Sequence, residues 1–214
     1  MTDDNIHISP FNLSTISTQT ENISNTLNQD NNEKKKNVLP LTYSFNDLLF
    51  FSDEFDKINI LSNKIDELFE TSKSYINTHK INTVDELKNI PKVIFNYVYE
   101  KEIERGNIEY KRTLETYNEN DKTNKLIRQI YWRIYEGVVS VDKECCYYIV
   151  GIEDSGNPSF LTTEEIFNSL SFISETINET ELNYSYLLVE NTTLENTYLI
   201  VKFWPKVSNV IDFF

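Results

Sequence analysis

Glycine is scarce in this chain of 214 residues. There are four, Gly106, Gly137, Gly151 and Gly156, and all lie in one stretch of 51 residues. So little glycine is held for turns and helix ends, so residues 102–204 read as the organised half of the chain. Histidine is scarcer, with only His7 and His79. Neither has a plausible Cys or Ser nucleophile partner nearby in sequence, and both lie far from the cysteines, so no covalent-catalysis or zinc constellation is visible. The only cysteines, Cys145 and Cys146, are adjacent. Neighbours on a strand point to opposite faces and a bridge between them would be strained, which suggests reduced thiols in a cytoplasmic or nuclear setting. No apolar run approaches the roughly 20 residues of a membrane span. No N-terminal segment joins basic residues to an apolar run, so the expectation is a cytoplasmic chain without a signal peptide or membrane partner.

Positive charge is also in short supply. The net charge is −14, and residues 144–201 hold ten acidic side chains but no Lys, Arg or His. That balance disfavours generic binding to nucleic acid or anionic lipid, both polyanions. It favours a basic protein partner or a covering neighbouring domain.

What is present divides the chain into four parts. Residues 1–42 are dominated by Asn, Ser, Thr, Asp and Gln, too polar to offset the entropy of ordering, and read as a disordered arm. Lys34-Lys35-Lys36 beside acidic residues reads as solvated linker rather than an import signal. Residues 43–101 form a helical segment. Ile58, Leu61, Ile65, Leu68, Phe69 and Ile76 recur at spacings of three and four, which predicts an amphipathic helix over 56–76. Thr83 with Glu86 marks a second helix start, and Phe95, Tyr97 and Tyr99 form an aromatic stripe at spacing two. These helices either lean on the later domain or shape a groove for a partner. Residues 102–206 read as an α+β domain, and 207–214 as a tail.

Within that domain the pattern predicts an extended piece over 108–114, a helix over 122–136 ended by Gly137, and a strand over 147–152. A tight turn at Asp154-Ser155-Gly156 follows, then a helix over 162–177 capped by Thr162 with Glu165. Two strands, 184–190 and 197–203, close it as a hairpin with a loop of about six residues. The fold class is therefore α+β, with helices on one face of a small, mostly antiparallel sheet. Thirteen Tyr and thirteen Phe supply bulk for its core. Candidate interaction residues are the acidic Glu153, Asp154, Glu164 and Glu165. A basic helix face adds Arg128 and Arg133 beside Trp132, where a stacked nucleobase is the weaker alternative.

Gly151-Ile152-Glu153-Asp154-Ser155-Gly156 has the first six positions of a phosphate-binding loop. Asn157 and Pro158 then stand where Lys and Ser or Thr are required. Glu153 and Asp154 would also repel a triphosphate, so no cofactor is assigned.

Three stretches carry a family likeness: Gly106-Asn107-Ile108-Glu109-Tyr110-Lys111; Trp132-Arg133 with Glu136-Gly137; and Gly151-Ile152-Glu153-Asp154 with Gly156. Tyr198-Leu199-Ile200-Val201-Lys202 adds a last strand. In order and spacing across 102–204 they resemble the region that precedes the GTPase domain in elongation-factor-like GTPases, the GTP-binding proteins one and two. The resemblance implies a non-catalytic N-terminal module whose partner is a downstream GTPase domain. It also implies, for a full-length protein, translational GTPase activity with ribosome and tRNA association. The chain contains no GxxxxGK[ST] motif, so no catalytic residue is carried over, and the chain alone is expected not to be an enzyme. The other reading is a free-standing acidic protein-interaction module.

Overall fold

The computed structural model describes residues 45–114 and 120–207. The disordered arm expected at 1–42, its Lys triplet and nearly all of the 207–214 tail lie outside the described residues. The described residues all fall in one compact unit, so the helical segment and the α+β domain fold together.

The elements are α1 (Phe45–Thr71), a 3-10 turn (Lys73–Tyr75), α2 (Val84–Lys88), β1 (Val93–Ile94), β2 (Ile108–Lys111), α3 (Asn120–Val141), β3 (Cys146–Val150), α4 (Thr163–Asn178), β4 (Leu182–Asn191) and β5 (Asn196–Pro205). The five strands form one sheet in the order β1-β4-β5-β3-β2. The β4–β5 and β5–β3 pairings are antiparallel, whereas the outer strands β1 and β2 run parallel to β4 and β3. The α+β class thus holds, with a mixed sheet whose longest pairing is antiparallel.

Period-two alternation along the strands splits the apolar residues into two layers. On one face Cys146, Tyr148, Val150, Tyr186, Leu188, Leu199, Val201 and Phe203 pack under α3 and α4, which contribute Leu126, Ile130, Ile134, Ile166, Leu170 and Ile173. These are the helices expected on one face. The other face is not left to solvent. Ile149, Leu187, Val189, Tyr198 and Ile200 are covered by Leu61, Ile65, Leu68 and Phe69 of α1. The three-and-four spacing of α1 therefore reads out directly as buried contact. Cys145 and Cys146 are free thiols, buried on opposite faces.

Both helix starts follow their caps. The Thr83 side chain accepts from the Glu86 amide, and Thr162 forms a reciprocal capping box with Glu165. Three boundaries differ from expectation. First, α1 begins at Phe45 and ends at Thr71, and Ile76 follows the 3-10 turn. Second, the β4–β5 connection is a tight four-residue turn, because Asn191 Oδ1 accepts from the amides of Thr193 and Leu194 at 3.1 and 3.0 Å. Third, Gly137 does not end α3, which runs on to Val141. Its lack of a side chain serves close approach instead. A Cβ there would lie 2.6 Å from the Lys143 carbonyl oxygen, 2.8 Å from that of Cys145 and 2.9 Å from Asn107 Cβ.

Candidate functional site

The densest polar arrangement sits where β2, α3 and the strap of residues 99–106 meet. Glu109 occupies a strand position that alternation would give to an apolar residue, and it is 3% exposed. Such a carboxylate must be matched. Arg133, 5% exposed on α3, donates from Nε to Glu109 Oε2 at 2.5 Å and from Nη2 to Glu102 Oε1 at 2.8 Å. Its Nη1 donates to the carbonyls of Glu104 and Gly106 at 2.9 and 3.2 Å. Gln129 and Lys111 also donate to Glu109 Oε1. Alongside, the Gly106 amide donates to Glu136 Oε2 at 3.2 Å, and Asn107 Nδ2 donates to Ser62 Oγ and the Cys145 carbonyl. Burial pushes the Glu102 carboxyl up to about 7, aided by the negative Glu109 and opposed by Arg133.

Arg133 thus departs from the exposed basic face assigned to it. An arginine surrounded by four acceptors is a clasp between strap, strand and helix, so its guanidinium is unavailable to RNA. Arg128 remains exposed, with Nε on the Asn124 carbonyl, and Trp132 is 47% exposed. Glu165 is used in the α4 cap, while Glu164 is exposed beside it. Glu153 and Asp154 are exposed in the turn after β3.

That turn is no phosphate cradle. The Gly151 amide donates to the Lys111 carbonyl, Glu153 to Asn157, Gly156 to Glu153 and Ser159 to Gly151, so its N–H groups are directed into the loop and its neighbour strand. A phosphate site needs those groups pointing outward together. Gly156, at φ +87°, lies where a Cβ would meet the Tyr99 and Glu100 carbonyls, and the Glu102 amide donates to the Asp154 carbonyl at 2.7 Å. The turn and the strap are therefore fastened to each other.

Beside the clasp opens a cleft of about 1080 Å³, floored by Glu109, Gln129 and Arg133 and walled by Trp132. Asp53, Glu54 and Lys57 of α1, the strap residues 100–105 and Asp154 complete it. The structure brings Asp154, Trp132 and Arg133 together here, whereas Arg128, Glu153, Glu164 and Glu165 do not line the cleft. Sequence reading missed Asp53, Glu54, Glu102, Glu104 and Glu109. The one available signal was Glu109, a charge flanked by the buried Ile108 and Tyr110.

A second polar cluster pins α1 to its face. Asp66 accepts from Lys143 Nζ at 2.6 Å, from Lys202 Nζ at 3.1 Å and from the Tyr147 hydroxyl. Burial pushes the Asp66 carboxyl up, but these three donors together hold it below the usual carboxylate range. Burial raises both thiols, Cys146 strongly, so neither is an activated nucleophile. Among the described residues no group of His, Cys, Asp and Glu could hold a metal ion, and no helix is long and apolar enough to cross a membrane. Compared with family models, curated proteins and solved structures, the chain matches none.

Proposed function

We propose that the chain is a non-catalytic docking module of the kind that precedes the GTPase domain in elongation-factor-like GTPases, with a protein domain as its partner. One observation carries this reading. Several of the residues that carry the resemblance, distant in sequence, meet in space and bind one another. Arg133 and Glu136 of α3 hold Glu109 and Gly106; Gly137 makes room for Asn107; Gly156 makes room for the strap. Residues shared for chemistry would point reactive groups into a cavity. These spend their hydrogen bonds on each other, as residues shared for a fold do.

The test has two arms. The purified chain is incubated with GTP and magnesium, and the transcript is read past Phe214. The expected results are no stoichiometric phosphate release and a GxxxxGK[ST] motif in the continuing frame. Turnover by this chain, or a stop codon with no GTPase sequence behind it, would sink the reading.

A further inference from the structure

Trp132 and its surroundings are not explained by the clasp. Trp132 turns about half of its surface to solvent and lies on an exposed face of α3 with Tyr135, at 5.9 Å between ring centroids, and Val139. The cleft beside it is lined by seven carboxylates, Glu102 and Glu109 of the clasp among them, against four cations. Arg133 is saturated by the clasp, and Lys57 is bound to Glu100 at 2.7 Å. Among the described residues no ion pair takes up Asp53, Glu54, Glu104 or Asp154. These four come from three separate places, α1, the strap and the post-β3 turn, yet open onto one cleft with an indole at its wall.

We propose that this cleft is a docking site for a basic protein segment, whose Arg or Lys side chain enters against the Trp132 ring and is met by Asp53, Glu54 and Asp154. Charge complementarity selects the occupant: seven carboxylates against four cations leave the cleft net negative, so a cation gains that excess and the face of the indole, whereas nucleic acid gains the ring but meets net repulsion. Most residues that line the cleft are charged, which disfavours an apolar helix as the occupant. This site differs from the acidic 153–165 surface read from the sequence, since only Asp154 belongs to it. It does not rest on the family reading, because any partner with such a segment satisfies it.

The test uses the full 214-residue chain with Trp204→Phe, so that Trp132 is the single indole. A fluorescein-labelled hexa-arginine peptide is titrated at constant ionic strength, following anisotropy and Trp132 emission. Saturable binding that shifts the Trp132 emission is expected. Trp132→Ala should weaken it roughly 2- to 30-fold, the span of a cation–π contact, while Trp132→Phe, which keeps an aromatic face, recovers part of the loss. Asp53→Asn, Glu54→Gln and Asp154→Asn together should weaken it more than tenfold. Glu164→Gln, Glu179→Gln and Glu195→Gln remove equal charge at exposed sites elsewhere and should change it less than twofold. Equal weakening by the two triple sets would mean diffuse attraction and overturn the proposal. So would an unmoved Trp132 signal, or preference for a single-stranded uridine octamer over the peptide. Far-UV circular dichroism verifies that each variant is folded.

Discussion

The two faces of the sheet are held by different physics. Under α3 and α4 the layer is apolar except at its β2 edge, where the Arg133–Glu109 clasp lies, with Ile130, Ile134 and Ile173 fully buried against Tyr148, Leu199 and Val201. Under α1 an apolar layer is present too, but two polar fastenings cross it. Ser62, fully buried, accepts from Lys143 and Asn107, and Asp66 gathers Lys143, Lys202 and Tyr147. Burial is indifferent to register, whereas hydrogen bonds are not. The first face therefore supplies bulk stability and the second fixes where a long helix sits. Apart from the clasp, dependence on pH and salt should concentrate on the second.

The sharpest way to break this contrast is to cut into each face in turn. Ile173→Ala should cost about 2–5 kcal/mol in urea unfolding, with an unchanged slope, because it empties a filled site in the α4 layer. Its cost should hardly vary between pH 3 and pH 8. Asp66→Asn should cost less, about 1–3 kcal/mol at pH 7, by leaving Lys143 and Lys202 without their carboxylate. That cost should depend on pH. Since the folded Asp66 carboxyl lies below its ordinary value, its contribution is complete above about pH 4 and disappears as pH falls through the folded value. Equal pH dependence for the two variants would dissolve the distinction.

Two smaller effects test the junction between the faces. Gly137→Ala adds a good helix former, worth about 1 kcal/mol to an open helix. Here the Cβ would strike two carbonyl oxygens at 2.6 and 2.8 Å, so a net loss of about 1–2 kcal/mol is expected in thermal unfolding. Glu102→Gln is the mildest. The wild-type carboxyl is raised to about 7, so the folded state holds a proton there that the unfolded chain has released. Wild-type stability should then fall as pH rises from about 4.5 to 7, and the variant should lose that slope, an effect on the order of 1 kcal/mol after screening.

Much of the first face was legible in the sequence, and much of the second was not. The helix spacing Leu126, Ile130, Ile134 and the Thr162–Glu165 cap are local signals, and local signals survive without a structure. The same is true of Ile58 to Phe69 on α1, whose burial was readable but whose destination was not. A spacing of three and four says that a helix buries a face, not which surface receives it. Arg133 misled because helix position suggested a basic face shared with Arg128, while its true partners, Glu102 and Glu109, are 31 and 24 residues away. Gly137 misled for a similar reason. A glycine near the end of a helical pattern usually serves the backbone, but here it serves a neighbour, and only contacts with Asn107 and Cys145 reveal that. The cleft was illegible as a unit because α1, the strap and the post-β3 turn each contribute one or a few carboxylates.

The adjacent cysteines give the two faces separate reporters. Cys146 donates its thiol proton to the Ile130 carbonyl of α3 at 3.7 Å, and Cys145 lies in the α1 layer against the Tyr147 hydroxyl at 3.5 Å. Cys146 is fully buried beneath α3 and Cys145 largely buried beside α1, so modification rates at the two neighbours should respond to two different openings within one dipeptide. Mass spectrometry of that single peptide would show which lid loosens first, without a label or a substitution introduced anywhere in the chain.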